Sequence, residues 1–501
     1  MMRYSEFRWI GVLVAVATIV CGVTITGSGR AGAVTGLERF EQQVVQWRAC
    51  DDTALAQVGA QCAAVTVPLD YAVPRGRTIT VAVSRIPASD PAHRRGVLLT
   101  NPGGPGAPGL DPRPVLGGLS AEVTARYDLI GFDPRGVGRS TPVECGWGDV
   151  RVPGGDRRPG LTRAEFDLDV AAAARLAAQC VGAEGGAVRQ FSTRNTARDM
   201  RIIGAVLGES RISYLGASYG TYLGAVFTQM FPEHSDRIVL DSVVDPQRYW
   251  LAMHQDSAAA NEEALHVWAE WVAARHERYR LGADRDQVLA TVDHLLARAD
   301  RAPIEIAGLR VDDDILHVAL NLLLSSGQFT PPLAELVHQL RVVADGGTVD
   351  PAPIWEPVGQ FAAMGSMFQA HMAVKCADVA APRDPDWYWR EVERVRVEQP
   401  VFGPLLSSIG VCAFWPAPAE PPTVIGNAVP VLLLHADGDI RTTYPGAQAM
   451  HRALTGSALV TLRGARAHGV LALPSACVIA AANTYLRDGV LPPTELDCRL
   501  G

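Results

Sequence analysis

The pentapeptide Gly216-Ala217-Ser218-Tyr219-Gly220 spells G-x-S-x-G, a frame in which a serine can serve as a nucleophile. In a chain with 48 glycines the pentapeptide alone says little, and an incidental strand–turn–helix junction would look the same. Its setting says more: an apolar run at 212–215 leads into the serine, and a helical pattern at 219–230 leaves it, as at a nucleophile elbow. Gly216 and Gly220 leave room for a strained turn, and the helix aims its first N–H groups to where negative charge would develop. A serine hydroxyl needs a base, and the base needs an orienting acid. His468, in the small-residue loop 464–469 after the apolar run 458–462, is the candidate base. Asp439, in the loop after the run 431–434, is the candidate acid, with Asp437 beside it. His435 competes as base but precedes the acid, and Asp245, after the run 238–240, competes as acid. The developing oxyanion would be met by the N–H of Tyr219 and by one from the loop Asn101-Pro102-Gly103-Gly104-Pro105-Gly106, where Gly104 is favoured. No lysine follows those glycines, which excludes a phosphate-binding loop. No H-E-x-x-H or cysteine–histidine spacing occurs, so no metal and no cofactor is expected.

These loops need elements to hold them. The alternating, β-branched stretch 64–86 reads as a hairpin opening a sheet. Short continuous apolar runs follow at 97–99, 127–132, 212–215, 238–240 and 431–434, each ending in a loop that can carry site residues. Continuous apolar strands imply burial on both faces, as in a parallel sheet covered by helices. Helical patterns at 196–207 and 219–230 alternate with them, which argues an α/β fold with a mostly parallel sheet. The rhythm breaks from about 246 to 422, a mainly helical stretch with Trp268, Trp271, Leu316, Leu320 and Leu340 among its apolar positions. It reads as a helical lid inserted between core strands. The expected layout is a signal peptide at 1–33, a first core part at 34–245, the lid at 246–425 and a second core part at 426–501.

Composition is compatible with this and excludes other classes. A net charge of −8 without a basic run argues against a nucleic-acid surface. Lys375 is the only lysine, which reads as genome composition and carries no function at this level. Arg3 and Arg8 precede an apolar run from Trp9, then small residues up to Ala31-Gly32-Ala33, the pattern of a secretory signal; an uncleaved anchor is the alternative. Of nine cysteines, removing Cys21 with that segment leaves eight. In an exported chain these are expected to pair, and proximity in sequence suggests Cys50 with Cys62, Cys145 with Cys180, Cys376 with Cys412, and Cys477 with Cys498.

Taken in order, N-P-G-G-P-G, D-P-R-G-V-G-R-S, G-A-S-Y-G-T-Y-L-G, D-G-D-I-R-T and A-H-G-V resemble secreted actinobacterial tripeptidyl aminopeptidases. These are prolyl-aminopeptidase-like serine peptidases of the α/β-hydrolase fold, and the mycobacterial carboxylesterase/protease group is similar. The resemblance runs from about Trp47 to Cys498, strong in the core and weak in the insertion. It implies Asp439 as acid, His468 as base and Gly104 as the second glycine of the G-G-P-G loop. Ile440 and Thr443 stand where the family has prolines, and Asp437-Gly438 replaces an acidic–apolar pair. A W-C pair near the start of the lid is absent, Trp271-Val272 and Tyr279-Arg280 filling that stretch. The implied activity is release of short peptides from a free N-terminus. An esterase or endopeptidase of the same fold, and an inactive hydrolase-like binding protein, are the alternatives. The expected partner is a peptide or small ester substrate, with cell-envelope association open and no oligomeric state set. A free N-terminus is a cation, so a semi-buried site for it needs carboxylates. Glu262 and Glu263, expected to begin an amphipathic helix near the start of the lid, are the candidates, and either one alone reads sooner as a solvated helix face or a first-turn acid.

Overall fold

The computed structural model describes residues 36–147, 161–362 and 365–501. The segment expected to be a signal lies outside them. In chain order the strands are β1 (Arg48–Ala49), β2 (Gln61–Pro68), β3 (Thr78–Ile86), β4 (Gly96–Asn101), β5 (Tyr127–Phe132), β6 (Ile212–Ala217) and β7 (Ser235–Asp241). After these come β8 (Ile304–Ile306), β9 (Leu309–Val311), β10 (Val431–Ala436), β11 (Ser457–Leu462) and β12 (Glu495–Cys498). Ten strands form one sheet in the order β1-β2-β3-β5-β4-β6-β7-β10-β11-β12. The pairings from β5 to β12 are parallel, while β1 to β3 join antiparallel at one edge, β3 pairing with β5.

The apolar runs show why these strands sit in the middle. Every residue of β4, β10 and β11 is buried, and successive side chains enter opposite cores. Val97, Leu99, Val431 and Leu433 join one core, and Leu98, Leu432 and Leu434 the other, the period of two that a doubly covered strand imposes. Helix Thr193–Val206, capped by Ser192, and helix Tyr219–Met230 pack together on the first of these cores.

Between β7 and β10 the chain is mainly helical, with the small β8–β9 hairpin inside it. This lid has an apolar core of its own, containing Trp268, Leu316, Leu320 and Leu340. Ile440 belongs to that core, although it follows the sheet strand β10. Its carbonyl also accepts from Ser257 Oγ at 2.7 Å and Asn261 Nδ2 at 3.3 Å on helix Leu251–Ala273. The residue standing in place of a proline thus ties the Asp439 loop to the lid. Disulfides join Cys50–Cys62, Cys145–Cys180, Cys376–Cys412 and Cys477–Cys498, the pairs that proximity in sequence suggested. The third ties two lid segments together and the fourth ties helix Ala476–Asp488 to β12. No described helix is long and apolar enough to cross a membrane.

Candidate active site

Ser218 sits between β6 and helix Tyr219–Met230 with φ 57° and ψ −124°, a backbone conformation that non-glycine residues rarely adopt. Its neighbours must be small. A Cβ on Gly216 would lie 2.4 Å from the Gly220 carbonyl oxygen, and one on Gly220 would lie 2.7 Å from that of Asn101. Contacts from Thr221 hold the turn: its N–H donates to the Ser218 carbonyl at 2.8 Å and its Oγ1 to the same oxygen at 2.6 Å.

The glycine loop after β4 lies against this turn. A Cβ on Gly103 would come within 2.9 Å of the Ser218 Cβ and 3.1 Å of the Tyr219 nitrogen, so only glycine allows the approach. The Gly103 N–H is already committed, donating to Asn101 Oδ1 at 3.0 Å. The N–H groups of Gly104 and Tyr219 have no acceptor among the described residues, which leaves both available to an oxyanion.

His468 Nδ1 donates to Asp439 Oδ2 at 2.9 Å, so the unprotonated Nε2 is free to take a proton. Asp439 is buried, and every lone pair it offers is engaged. Oδ1 accepts from the N–H of Arg441 at 2.8 Å and of Thr442 at 3.1 Å, and Oδ2 also accepts from Thr442 Oγ1 at 3.0 Å. Burial alone would raise this carboxyl. The His468 imidazole, then His435 and the Thr442 N–H, outweigh it and hold the group at about 2.

Asp241, which ends β7, had no role in the sequence reading. Its carbonyl accepts the Ser218 N–H at 2.9 Å, while its carboxylate accepts the N–H groups of Val470 and Leu471, each at 2.9 Å. One residue therefore joins the serine turn to the histidine loop, and Ser242 Oγ adds a bond from the Gly469 N–H at 2.6 Å. The signal in the sequence was an Asp-Ser pair directly after the apolar run 238–240, where a charge has to find partners.

The competitors are occupied elsewhere. His435 is buried in β10, where its Nδ1 accepts from the Val243 N–H at 3.0 Å, and burial pulls its pKa down to about 4. Asp245 Oδ1 accepts from the N–H groups of Gln247 and Arg248 and holds a turn. Asp437 Oδ1 accepts the Gly464 N–H at 2.8 Å, and a Cβ on Gly438 would meet the Ala465 carbonyl at 2.8 Å. The Asp437-Gly438 pair thus fastens the acid loop to the histidine loop. The D-P-R-G motif is also structural in its contacts: Asp133 accepts the N–H groups of Gly109 and Leu110, just beyond the glycine loop.

The lid acids do not fit the amine site expected of them. Glu262 is buried with Oε2 accepting the N–H groups of Val401 at 3.2 Å and Phe402 at 3.1 Å, ahead of helix Gly403–Ser407. Glu263, one position on, is exposed. Consecutive helical residues diverge by about 100°, so a helix that buries Glu262 cannot bring both to one pocket.

A parallel sheet, a serine elbow at the end of β6 and an acid and a base on later strand-end loops define an α/β-hydrolase. Residues 96–302 match the alpha/beta hydrolase fold family and residues 399–498 match the family described as TAP-like protein. The chain is 33% identical over 480 residues to the tripeptidyl aminopeptidase of Streptomyces lividans, covering 93% of this chain and 89% of that protein. It is 28% identical to serine protease Hip1 of Mycobacterium tuberculosis, over 97% of this chain and 96% of that one. To carboxylesterase B of the same organism it is 31% identical, over 88% and 86%. The chain therefore belongs to the tripeptidyl aminopeptidase family of α/β-hydrolases and is a serine hydrolase.

Proposed function

We propose that this chain is an exported peptidase that releases short peptides from the free N-terminus of its substrates through an acyl-enzyme on Ser218. The observation that carries the proposal is the Asp439–His468 hydrogen bond, 2.9 Å long, in a chain whose elbow serine and glycine loop leave two N–H groups free. In this mechanism the Ser218 hydroxyl oxygen attacks the scissile carbonyl carbon while its proton passes to His468 Nε2. The N–H groups of Gly104 and Tyr219 meet the oxyanion, and Asp439 stabilises the imidazolium without taking its proton. His468 then gives the proton to the departing amine, and water, deprotonated by the same imidazole, releases the peptide acid. Export is supported by the N-terminal charge and apolar pattern and by the four disulfides.

The similarity to a protein named carboxylesterase B gives the ester reading an observation of its own. A tripeptide amide with a free amine, its N-acetylated twin and a short acyl ester separate the readings. Preference for the free amine is the expected result. Equal cleavage of the acetylated peptide makes the chain an endopeptidase, and turnover of the ester alone makes it an esterase. A fluorophosphonate should label the native protein and not Ser218→Ala, and Asp439→Asn should lower turnover about ten-thousand-fold.

A further inference from the structure

The one lysine of the chain is not on the surface. Lys375 is 3% exposed, on helix Gly365–Asp378 of the lid, while the surface cations of this arginine-rich chain are guanidinium groups. Its Nζ lies 2.8 Å from His254 Nε2 on helix Leu251–Ala273 and 5.4 Å from the centroid of the Trp250 ring. One helical turn before it, His371 Nδ1 bonds the Pro105 carbonyl at 2.8 Å, and a Cβ on Gly106 would meet the His371 nitrogen at 2.8 Å. The helix carrying Lys375 thus rests on the glycine loop that reaches Ser218.

Arg441 stands two residues after Asp439, in the acid loop. Its N–H serves that carboxylate, and its guanidinium has no hydrogen-bond or ion-pair partner among the described residues. Its charge acts on Lys375, His371 and His254. Among the described residues only Asp439 is a negative group acting on these four, and its oxygens already accept from His468, Thr442 and the Arg441 N–H. Lys375 is buried, while His254, His371 and Arg441 each keep part of their surface accessible. Among the described residues the one carboxylate near these two cations is already engaged, so the pair, between the acid loop and the glycine loop, forms an incomplete site. Burying such charges unpaired is costly, and an anion that reaches them through the accessible faces of Arg441 and the two imidazoles completes them.

We propose that Lys375 and Arg441, with His254 and His371 around them, form a subsite that binds a carboxylate of the substrate beside Ser218. This rests on the reading of Ser218 as nucleophile of a peptidase and adds a selectivity to it. A free N-terminal amine is repelled here, so the amine end must lie away from the cluster. The carboxylate has two possible sources, the C-terminal carboxylate of a short peptide or an acidic side chain. Both would make charge-assisted bonds to the same cations.

The test uses free-amine tetrapeptides of one sequence ending in an acid or an amide, and amide-capped versions carrying Glu or Gln at each position in turn. A preference in kcat/KM of about tenfold or more for the acid or for Glu is expected of the native enzyme. A preference in the first series assigns the site to the terminal carboxylate, and one in the second assigns it to a side chain. The ratio should fall toward one in Arg441→Gln and in Lys375→Met and persist in Arg441→Lys. Taken within each variant, it does not depend on how much activity the substitution removes. Calorimetry on Ser218→Ala protein should show the same preference in affinity, without turnover. A ratio near one in the native enzyme, or one unchanged in both variants, overturns the subsite. N-acetylated copies that are cleaved as fast as the free peptides would overturn the aminopeptidase reading alone and leave the carboxylate ratio standing.

Discussion

Two clusters in this molecule are each built on a buried cation, Arg135 in one and Lys375 in the other, and differ in what surrounds it. Arg135, from the D-P-R-G motif, is fully buried and fully answered. Its Nε and Nη2 reach the two oxygens of Asp199 at 2.7 and 2.6 Å, and its remaining donors bond the carbonyls of Leu69 and Gln190 at 2.9 Å and Pro68 at 3.2 Å. Tyr71 Oη adds a bond to Asp199 at 2.7 Å. Lys375 and Arg441 face each other's charge, two imidazoles and a carboxylate that is already taken. A closed set of this kind locks the β2 end, the loop after β5 and helix Thr193–Val206 to one another. The open set also joins elements, through Lys375–His254 and His371–Pro105, but its charge is left without a free carboxylate among the described residues and has capacity for a ligand. Completeness of the counter-charge, more than burial, separates a structural ion pair from a binding site.

The sharpest way to break that comparison is to open the closed set. Asp199→Asn leaves Arg135 charged, since its guanidinium does not deprotonate in proteins. It should cost about 3–5 kcal/mol of stability, as loss of one partner of a buried pair does. Denaturant unfolding reads the loss, and the acid-to-amide preference of the folded fraction should match that of the native enzyme. A changed preference with unchanged stability would show that the two sites do not divide the work in this way.

The converse substitution tests the open set. Lys375→Met removes a buried charge without stranding a carboxylate, so stability should hold or rise, by about 1–4 kcal/mol at most. Burial, reinforced by the Arg441 charge, pulls the Lys375 amine down to about 7 from its ordinary 10.5. Between those values the unfolded chain binds the extra proton, so the native protein gains stability as pH rises through that window. The advantage of Met should therefore be largest below pH 7 and vanish above the ordinary lysine range. The carboxylate preference should run with protonation, stronger below pH 7 than above it. In Lys375→Arg, which stays charged, that slope should flatten. The titratable and charged neighbours are His254, His371 and Arg441; burial draws His371 down to about 3 and His254 well below its usual value, so Lys375 is the one that changes charge near neutrality.

What the sequence revealed follows the same division. The placement of Ser218, Asp439 and His468 on strand-end loops was legible because each follows an apolar run, and a sheet of buried parallel strands must present such ends at one edge. The lid was legible as a block, because helical periodicity is local, but its pairings were not. Lys375 is visible in the sequence as the only lysine and was read as composition, since neither its burial nor its nearness to Arg441, 66 positions on, is written in local spacing. Glu262 misled for the opposite reason. An acid expected to begin a helix suggests solvent or ligand, whereas Glu262 lies in the middle of helix Leu251–Ala273, and nothing in the neighbouring residues announces that Val401 and Phe402 will turn their N–H groups toward it.

Glu262 also supplies the intermediate case, a buried charge answered only by neutral backbone donors, and the smallest expected effect. Burial pushes its carboxyl up to about 7, against the two N–H bonds, with Asp293 as the charged neighbour that adds to the rise. The folded state therefore holds a proton that the unfolded chain releases between the ordinary glutamate value of 4.5 and about 7. Stability from this group is fully present below that window and falls as pH rises through it. Glu262→Gln keeps an oxygen for the same two N–H groups and removes the charge. The variant should match the native protein in acid and exceed it in stability above pH 7, which thermal unfolding at the two pH values resolves. Its preference for free over acetylated N-termini should be that of the native enzyme. Loss of that preference with unchanged stability would return Glu262 to the role of amine ligand, and would show that a carboxylate bonded to the backbone can still serve a substrate.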